Sequence, residues 1–160
     1  MEVAGMKNVL IATGLILSLV FVPSAQSQPK EKPDPKEKCP VCGMFVSKYP
    51  EWIVQLHLPN DEVMMFDGVK DMLKYYFEPD KYGAGTQIKT ATIYVKDYYT
   101  QNWIKGDKAY YVKGSDVTGP MGHEFIPFAG EAAAVSFKKD HHGKQIMTFN
   151  DIKPEDLKDM

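Results

Sequence analysis

The sequence contains only two cysteines, no excess of basic residues and none of the motifs that mark the common enzyme classes. Its 19 basic residues are scattered among 21 acidic ones, which gives a formal net charge of -2. Nucleic-acid binding requires a clustered basic surface, so we set this class of protein aside. No Ser-His-Asp arrangement, phosphate-cradling glycine-rich loop or acid–base pair is apparent. We therefore expect a protein that has no catalytic residues and is not an enzyme.

The composition is that of a globular protein. Hydrophobic residues make up 44% of the chain and charged residues 25%, which separates it from disordered sequences. A chain of 160 residues has room for one ordinary domain or two very small ones.

The N-terminus has the pattern of a secretory signal peptide. A short basic start at Lys7 precedes an apolar run over residues 9–22, and small residues follow it. We expect residues 1–27 to be this signal, with cleavage after Ser27. The apolar run is short for a transmembrane span, although an uncleaved N-terminal anchor stays open.

Residues 28–38 are rich in proline and charge. Three prolines among charged residues favour extended conformations and bury little apolar surface. We interpret this segment as a solvated spacer, and we expect the folded domain to occupy residues 39–160.

The first part of this domain has the periodicity of a hairpin followed by a helix. Apolar residues alternate over residues 52–58 and return in residues 63–66, which predicts two strands joined by a turn. Asp67 is then expected to cap a helix that ends before Pro79. One apolar face of this helix is formed by Val69, Met72, Leu73 and Tyr76.

The second part repeats this order loosely. Strands are predicted over residues 91–95 and 109–112, and a long loop over residues 114–127. A helix over residues 131–139 and a last strand over residues 146–149 complete the domain.

Together these elements predict an α+β fold. We expect two small ββα-containing units, about 39–87 and 88–160, that form one compact exported domain.

The sharpest local motif is Cys39-Pro40-Val41-Cys42-Gly43-Met44. Two thiolates separated by two residues can converge on one metal ion, and the following glycine lets the loop fold back. A closed site of four cysteines is impossible within one chain, because no second cysteine pair exists. A disulfide would close only a small loop and stabilise little through chain entropy.

Two further candidates lie in the segment Gly119-Pro120-Met121-Gly122-His123-Glu124. Met121, between a proline and a glycine in a polar segment, has no evident core face to pack against. Thioether and thiolate are soft ligands that favour copper(I) over zinc or magnesium. We therefore predict a copper(I) site formed by Cys39, Cys42, Met44, Met121 and His123.

Two other interpretations of the cysteine pair stay open. A thiol–disulfide oxidoreductase would use Cys39 and Cys42 as a redox pair, although such a pair normally joins a strand to a helix in a βαβ unit. A zinc-stabilised structural module would hold its ion with the same cysteines, His123 and another ligand.

The chain resembles the NosL family, the accessory proteins of nitrous-oxide reductase maturation. The resemblance extends from Cys39 to about Phe149 and is carried by the Cys39–Met44 motif, by Phe66-Asp67 and by residues 111–115 and 119–128. It implies two small ββα-containing units, a copper(I)-binding metallochaperone in the periplasm, and copper motifs on Cys39, Cys42, Met44 and Met121. His123 is added only because it neighbours Met121.

The resemblance also implies the partners of the protein. These are nitrous-oxide reductase or another cuproprotein client, and a membrane ABC-type maturation complex. Members of the family are typically lipoproteins, whereas no cysteine ends the apolar run of this sequence. We expect a periplasmic protein whose association with the membrane is left open.

Overall fold

A computed structural model describes residue 1, residues 28–158 and residue 160. The predicted signal peptide therefore lies outside the described residues, except for Met1. Within the described part of the chain, no helix is both long and apolar enough to cross a membrane.

The described residues form seven strands and two α-helices, joined by turns and short 3-10 helices. In chain order they are β1 (Val54–His57), β2 (Val63–Phe66), α1 (Val69–Phe77), β3 (Thr92–Lys96), β4 (Trp103–Lys105), β5 (Tyr110–Gly119), β6 (Gly122–Phe128), α2 (Glu131–Asp140) and β7 (Gln145–Thr148).

The first sheet has the order β2-β1-β3-β4, and each neighbouring pair is antiparallel. Its central strand β1 is buried at all four residues. Val54 and Leu56 belong to the main hydrophobic core, and helix α1 packs against β1 and β2. Because successive strand residues face opposite sides of a sheet, Gln55 and His57 lie on the other face.

The N-terminal spacer contacts this other face. The backbone N–H of Lys30 donates to Gln55 Oε1 at 2.9 Å, and Gln55 Nε2 donates to the Lys30 carbonyl at 2.7 Å. Gln55 is fully buried, and a buried amide needs such partners. At Lys30 the spacer is therefore hydrogen-bonded to the first sheet and is not fully solvated.

The second sheet has the order β6-β5-β7 and is covered on both faces. Tyr111 and Phe125 pack into the main core that the first sheet shares. On the opposite face, Val112 and Phe128 pack against Phe137 of α2. The Phe128 and Phe137 ring centroids lie 5.0 Å apart. The alternation of β5 and β6 thus places this sheet between α2 and the rest of the domain.

The α+β class is confirmed by this arrangement, but the predicted loop over residues 114–127 is wrong. These residues form most of the β5–β6 hairpin. Gly114, with φ of +76°, lies where the strand register shifts, and Gly122, with φ of +87°, lies at the turn. The two glycines, which suggest a loop in the sequence, therefore mark a β-bulge and a tight turn.

The two sheets also divide the chain at a different place from the predicted sub-units. β3 and β4, which the sequence assigned to the second unit, pair within the first sheet beside β1. The change from one sheet to the other occurs after β4, not near residue 87. The reason is that β3, which is rich in β-branched residues, pairs antiparallel with β1.

Candidate metal centre

The cysteine loop folds back on itself. Gly43 N–H donates to the Cys39 carbonyl at 2.9 Å, and Cys39 N–H donates to the Met44 carbonyl at the same distance. Gly43 has φ of +77°, a conformation that L side chains rarely adopt. Lys38 and Phe45 close the loop with an antiparallel bridge. Both cysteines are free thiols, Cys39 buried and Cys42 half-buried.

Helix α1 brings two carboxylates to these thiols. Cys42 Sγ lies 3.3 Å from each carboxylate oxygen of Asp67, and Cys39 Sγ lies 3.6 Å from Asp71 Oδ2. Asp67 and Asp71 are both buried; Asp71 lies in the first turn of α1, and Asp67 lies just before the cap residue Gly68. One ligand atom from each of the four residues lies within 4.8 Å of the others.

This environment keeps the thiols protonated when no metal is bound. Burial raises the pKa of the Cys39 thiol above its ordinary range, and the Asp67 carboxylate raises it further. Burial likewise raises the pKa of Cys42 to about 11, and Asp71 and Asp67 add to this effect. A cation bound here must displace thiol protons, and its positive charge would stabilise both thiolates and carboxylates.

The first turn of α1 is capped from a distant strand. Asp67 was expected to cap this helix, but no side chain at its start does so; the Asp67 carboxylate lies against Cys42 instead. Glu124 of β6 takes the capping role, because its Oε1 accepts the Lys70 N–H at 2.5 Å. Burial raises the pKa of Glu124 to about 8.

The Met121 turn, residues 119–122, lies beside the same end of α1. Lys70 Nζ donates to the Met121 carbonyl at 2.6 Å. The Met121 side chain is 44% exposed, so it is not a core residue. The structure thus ties the Met121 turn to the helix that carries Asp71 and that Asp67 precedes.

His123 lies elsewhere. Its side chain is exposed and lines a cavity of about 500 Å³ together with His142, Lys144 and Met160. Among the described residues, the group that holds Cys39 and Cys42 does not include it. The structure therefore brings Cys39 and Cys42 together, with Met44 in the same loop. It places the Met121 turn against α1, and it places His123 at a different cavity.

The sequence prediction missed Asp67 and Asp71. The sequence predicts Asp67 as a helix cap and gives no role to Asp71. A signal was present, since both residues follow the cysteine motif at a helical spacing on the predicted first turn. Nothing local, however, indicated which face of that helix meets the cysteine loop.

Comparison with known proteins identifies the family. The sequence model of the family NosL matches residues 30–157. This chain belongs to the NosL family. The match includes the cysteine motif, the start of α1 and the Met121 turn, so the NosL resemblance predicted from separate motifs is confirmed.

Two curated NosL relatives are similar over much of their length. The "Copper-binding lipoprotein NosL" of Stutzerimonas stutzeri is 28% identical in an alignment of 130 residues that covers 72% of this chain and 62% of that protein. The protein of the same name from Achromobacter cycloclastes is 29% identical in an alignment of 160 residues that covers 92% of this chain and 80% of that protein. The chain thus spans less than two thirds of the first relative.

The fold also matches a solved NosL structure. The crystal structure of the copper chaperone NosL from Shewanella denitrificans superposes with a TM-score of 0.66 at 22% identity. The match covers 79% of this chain and 99% of the other. At this identity the likeness establishes the fold.

The raised pKa of Cys42 leads to a prediction for the metal-free protein. Asp67→Asn removes a negative charge beside the thiol, so we expect the pKa of Cys42 to fall below its value of about 11. The measurement is the rate of thiol alkylation as a function of pH, with Cys39→Ser present so that only Cys42 reacts. Asp80→Asn, at an exposed position after α1, is the control. An unchanged pKa in Asp67→Asn would show that this carboxylate does not act on the thiol.

Proposed function

We propose that this chain is a periplasmic metallochaperone that binds copper(I) through Cys39 and Cys42, with Met44 and Met121 as thioether donors. The observation that carries the proposal is the convergence of two thiols in a folded loop. Met121 lies exposed on a turn that contacts Lys70 in the first turn of α1. Copper here is cargo and not a cofactor for catalysis.

The chemistry of the donors favours copper(I) as this cargo. Thiolate and thioether sulfur are soft ligands, which select copper(I) over the hard cations. Copper(I) accepts two or three ligands, so two thiolates and one thioether are sufficient without His123. Asp67 and Asp71 accept hydrogen bonds from the thiols while the metal is absent, and their charge favours the arrival of a cation.

The exposure of Met121 suits the release of copper. A donor on a surface turn can leave the metal and be replaced by a sulfur of a partner, without opening the buried core. Cys42 is half-buried whereas Cys39 is buried. We therefore propose that Met121 and Cys42 exchange first and that Cys39 releases the metal last.

The names of the relatives support the wider role. Two are named copper-binding lipoproteins and one a copper chaperone. We propose an exported protein that delivers copper(I) to nitrous-oxide reductase or another cuproprotein client, in cooperation with a membrane ABC-type maturation complex.

The two carboxylates make zinc a second candidate for the bound metal ion. Two thiolates and two carboxylates make a four-donor set, which matches the coordination number of structural zinc. One ligand atom from each of the four side chains lies within 4.8 Å of the others. In this alternative the ion stabilises the domain and is not transferred.

Copper(I) affinity tests the first proposal directly. In an anaerobic competition titration, we expect Cys42→Ser to weaken copper(I) binding about 100-fold or more and Met121→Leu about tenfold. Met64→Leu, a half-buried methionine of β2, is the matched control and should leave the affinity unchanged. Circular dichroism verifies that each variant is folded. Full affinity in both Cys42→Ser and Met121→Leu would contradict the proposal.

Removing the carboxylates distinguishes copper from zinc. If copper(I) is held by sulfur, Asp67→Asn and Asp71→Asn should change copper(I) affinity by less than about tenfold but weaken zinc(II) binding about 100-fold. The measurement is the competition titration of each variant with both metals. Equal losses for the two metals would show that the carboxylates are copper ligands.

A further inference from the structure

We infer that Lys70 is the positioning residue of the Met121 turn and that Glu124 fixes Lys70 for this role. This inference rests on the proposed function, because it concerns the thioether donor of that site. Neither residue is itself a ligand in the proposed copper set.

The contact of Lys70 with the turn is unusual for a lysine. Lys70 is only 2% exposed, and buried lysines occur mainly where the ammonium has partners. Its Nζ donates to the Met121 carbonyl at 2.6 Å, across 51 residues of sequence. Hydrogen bonds from charged donors are stronger than neutral ones. The ammonium therefore holds the backbone of Met121 while its side chain stays exposed.

Glu124, in β6 just after the turn, joins this strand to the start of the helix at a second point. Its Oε1 accepts the backbone N–H of Lys70 at 2.5 Å and that of Phe125 at 2.9 Å. Its Oε2 lies where a Cβ on Gly68 would be, so the carboxylate approaches the start of α1 through the space left by that glycine. Gly68 has φ of 178°, an extended backbone, so close approach and not strain requires glycine there.

These contacts connect the thioether to the thiols through one short rigid element. The turn is held by Lys70, Lys70 lies on the first turn of α1, and Asp67 and Asp71 of this segment contact Cys42 and Cys39. A ligand held in place before the metal arrives loses less conformational entropy on binding. Release of the Lys70 contact should therefore weaken copper binding only through Met121.

The first experiment observes the turn without metal. Methionine methyl NMR spectra are recorded for the purified exported protein, and the Met121 signal is assigned as the one missing in Met121→Leu. Lys70→Met keeps the side-chain length and removes the ammonium, so we expect the Met121 signal to shift or sharpen. The methyl signal that the substitution itself adds is identified as the one that remains in Lys70→Met combined with Met121→Leu. Lys81→Met, on the exposed surface after α1, should leave it unchanged. An identical Met121 signal in Lys70→Met and Lys81→Met would overturn the inference.

The second experiment is a double-mutant cycle of copper(I) affinity. We expect Lys70→Met to lower the copper(I) affinity about tenfold. When Met121→Leu is already present, Lys70→Met should lower the affinity no further. A full loss in the Met121→Leu background would show a merely structural effect and overturn the inference. If Met121→Leu leaves the copper(I) affinity unchanged while the NMR signal responds to Lys70→Met, the positioning of the Met121 turn by Lys70 is supported, and Met121 is rejected as a copper donor.

Two further variants keep the result decisive if Lys70→Met is poorly folded. Lys70→Arg retains a cationic donor and should restore the wild-type Met121 signal at least in part. Gly68→Ala places a Cβ against the Glu124 carboxylate and should loosen the same turn with Lys70 intact. A folded Gly68→Ala protein that retains both the wild-type Met121 signal and the wild-type copper affinity would contradict the inference, as would a folded Lys70→Arg protein whose Met121 signal matches that of Lys70→Met.

Discussion

The first turn of helix α1 is held between the cysteine loop and the β5–β6 hairpin, and the geometry of the site depends on this contact. On one side, Asp67 and Asp71 accept hydrogen bonds from the two thiols. On the other side, the Glu124 carboxylate caps the helix through the Lys70 amide. Helix starts leave backbone donors without partners, and here a residue 54 positions away in sequence supplies one. Three segments that are distant in sequence therefore meet at one short element.

Burial gives this site its chemical character. Burial raises the pKa of both thiols, so they keep their protons and donate them to the buried carboxyl groups beside them until a cation arrives. Removing charged groups from water is costly unless opposite charges compensate them. Lys74, whose Nζ lies 3.3 Å from Asp71 Oδ1, supplies part of this compensation, and a bound metal would supply the rest. Burial of these groups is unfavourable while no metal is bound, and the same burial favours the binding of a metal ion.

Much of the first unit was predictable, because it is local. Alternating residues around a turn predicted β1 and β2, the apolar face of Val69, Met72 and Leu73 predicted α1, and the spacing of the cysteines predicted a closed loop. The β5–β6 hairpin was missed, since Gly114 and Gly122 suggest a loop when their strand partners are unknown. The roles of Asp67, Asp71 and Glu124 follow only from tertiary packing, which short-range patterns do not encode. His123 was grouped with Met121 by adjacency, but its exposed side chain lines a separate cavity.

The central claim is that sulfur atoms from the cysteine loop and the Met121 turn hold copper(I). X-ray absorption at the copper edge of the copper(I)-loaded protein tests it most directly, because the first shell of ligands is observed without reference to affinity. We expect a shell of sulfur atoms, two from the cysteines and the rest from thioethers, reduced by one in Met121→Leu, and no carboxylate oxygen. A shell dominated by oxygen or nitrogen, or one that Cys42→Ser leaves unchanged, would contradict this assignment.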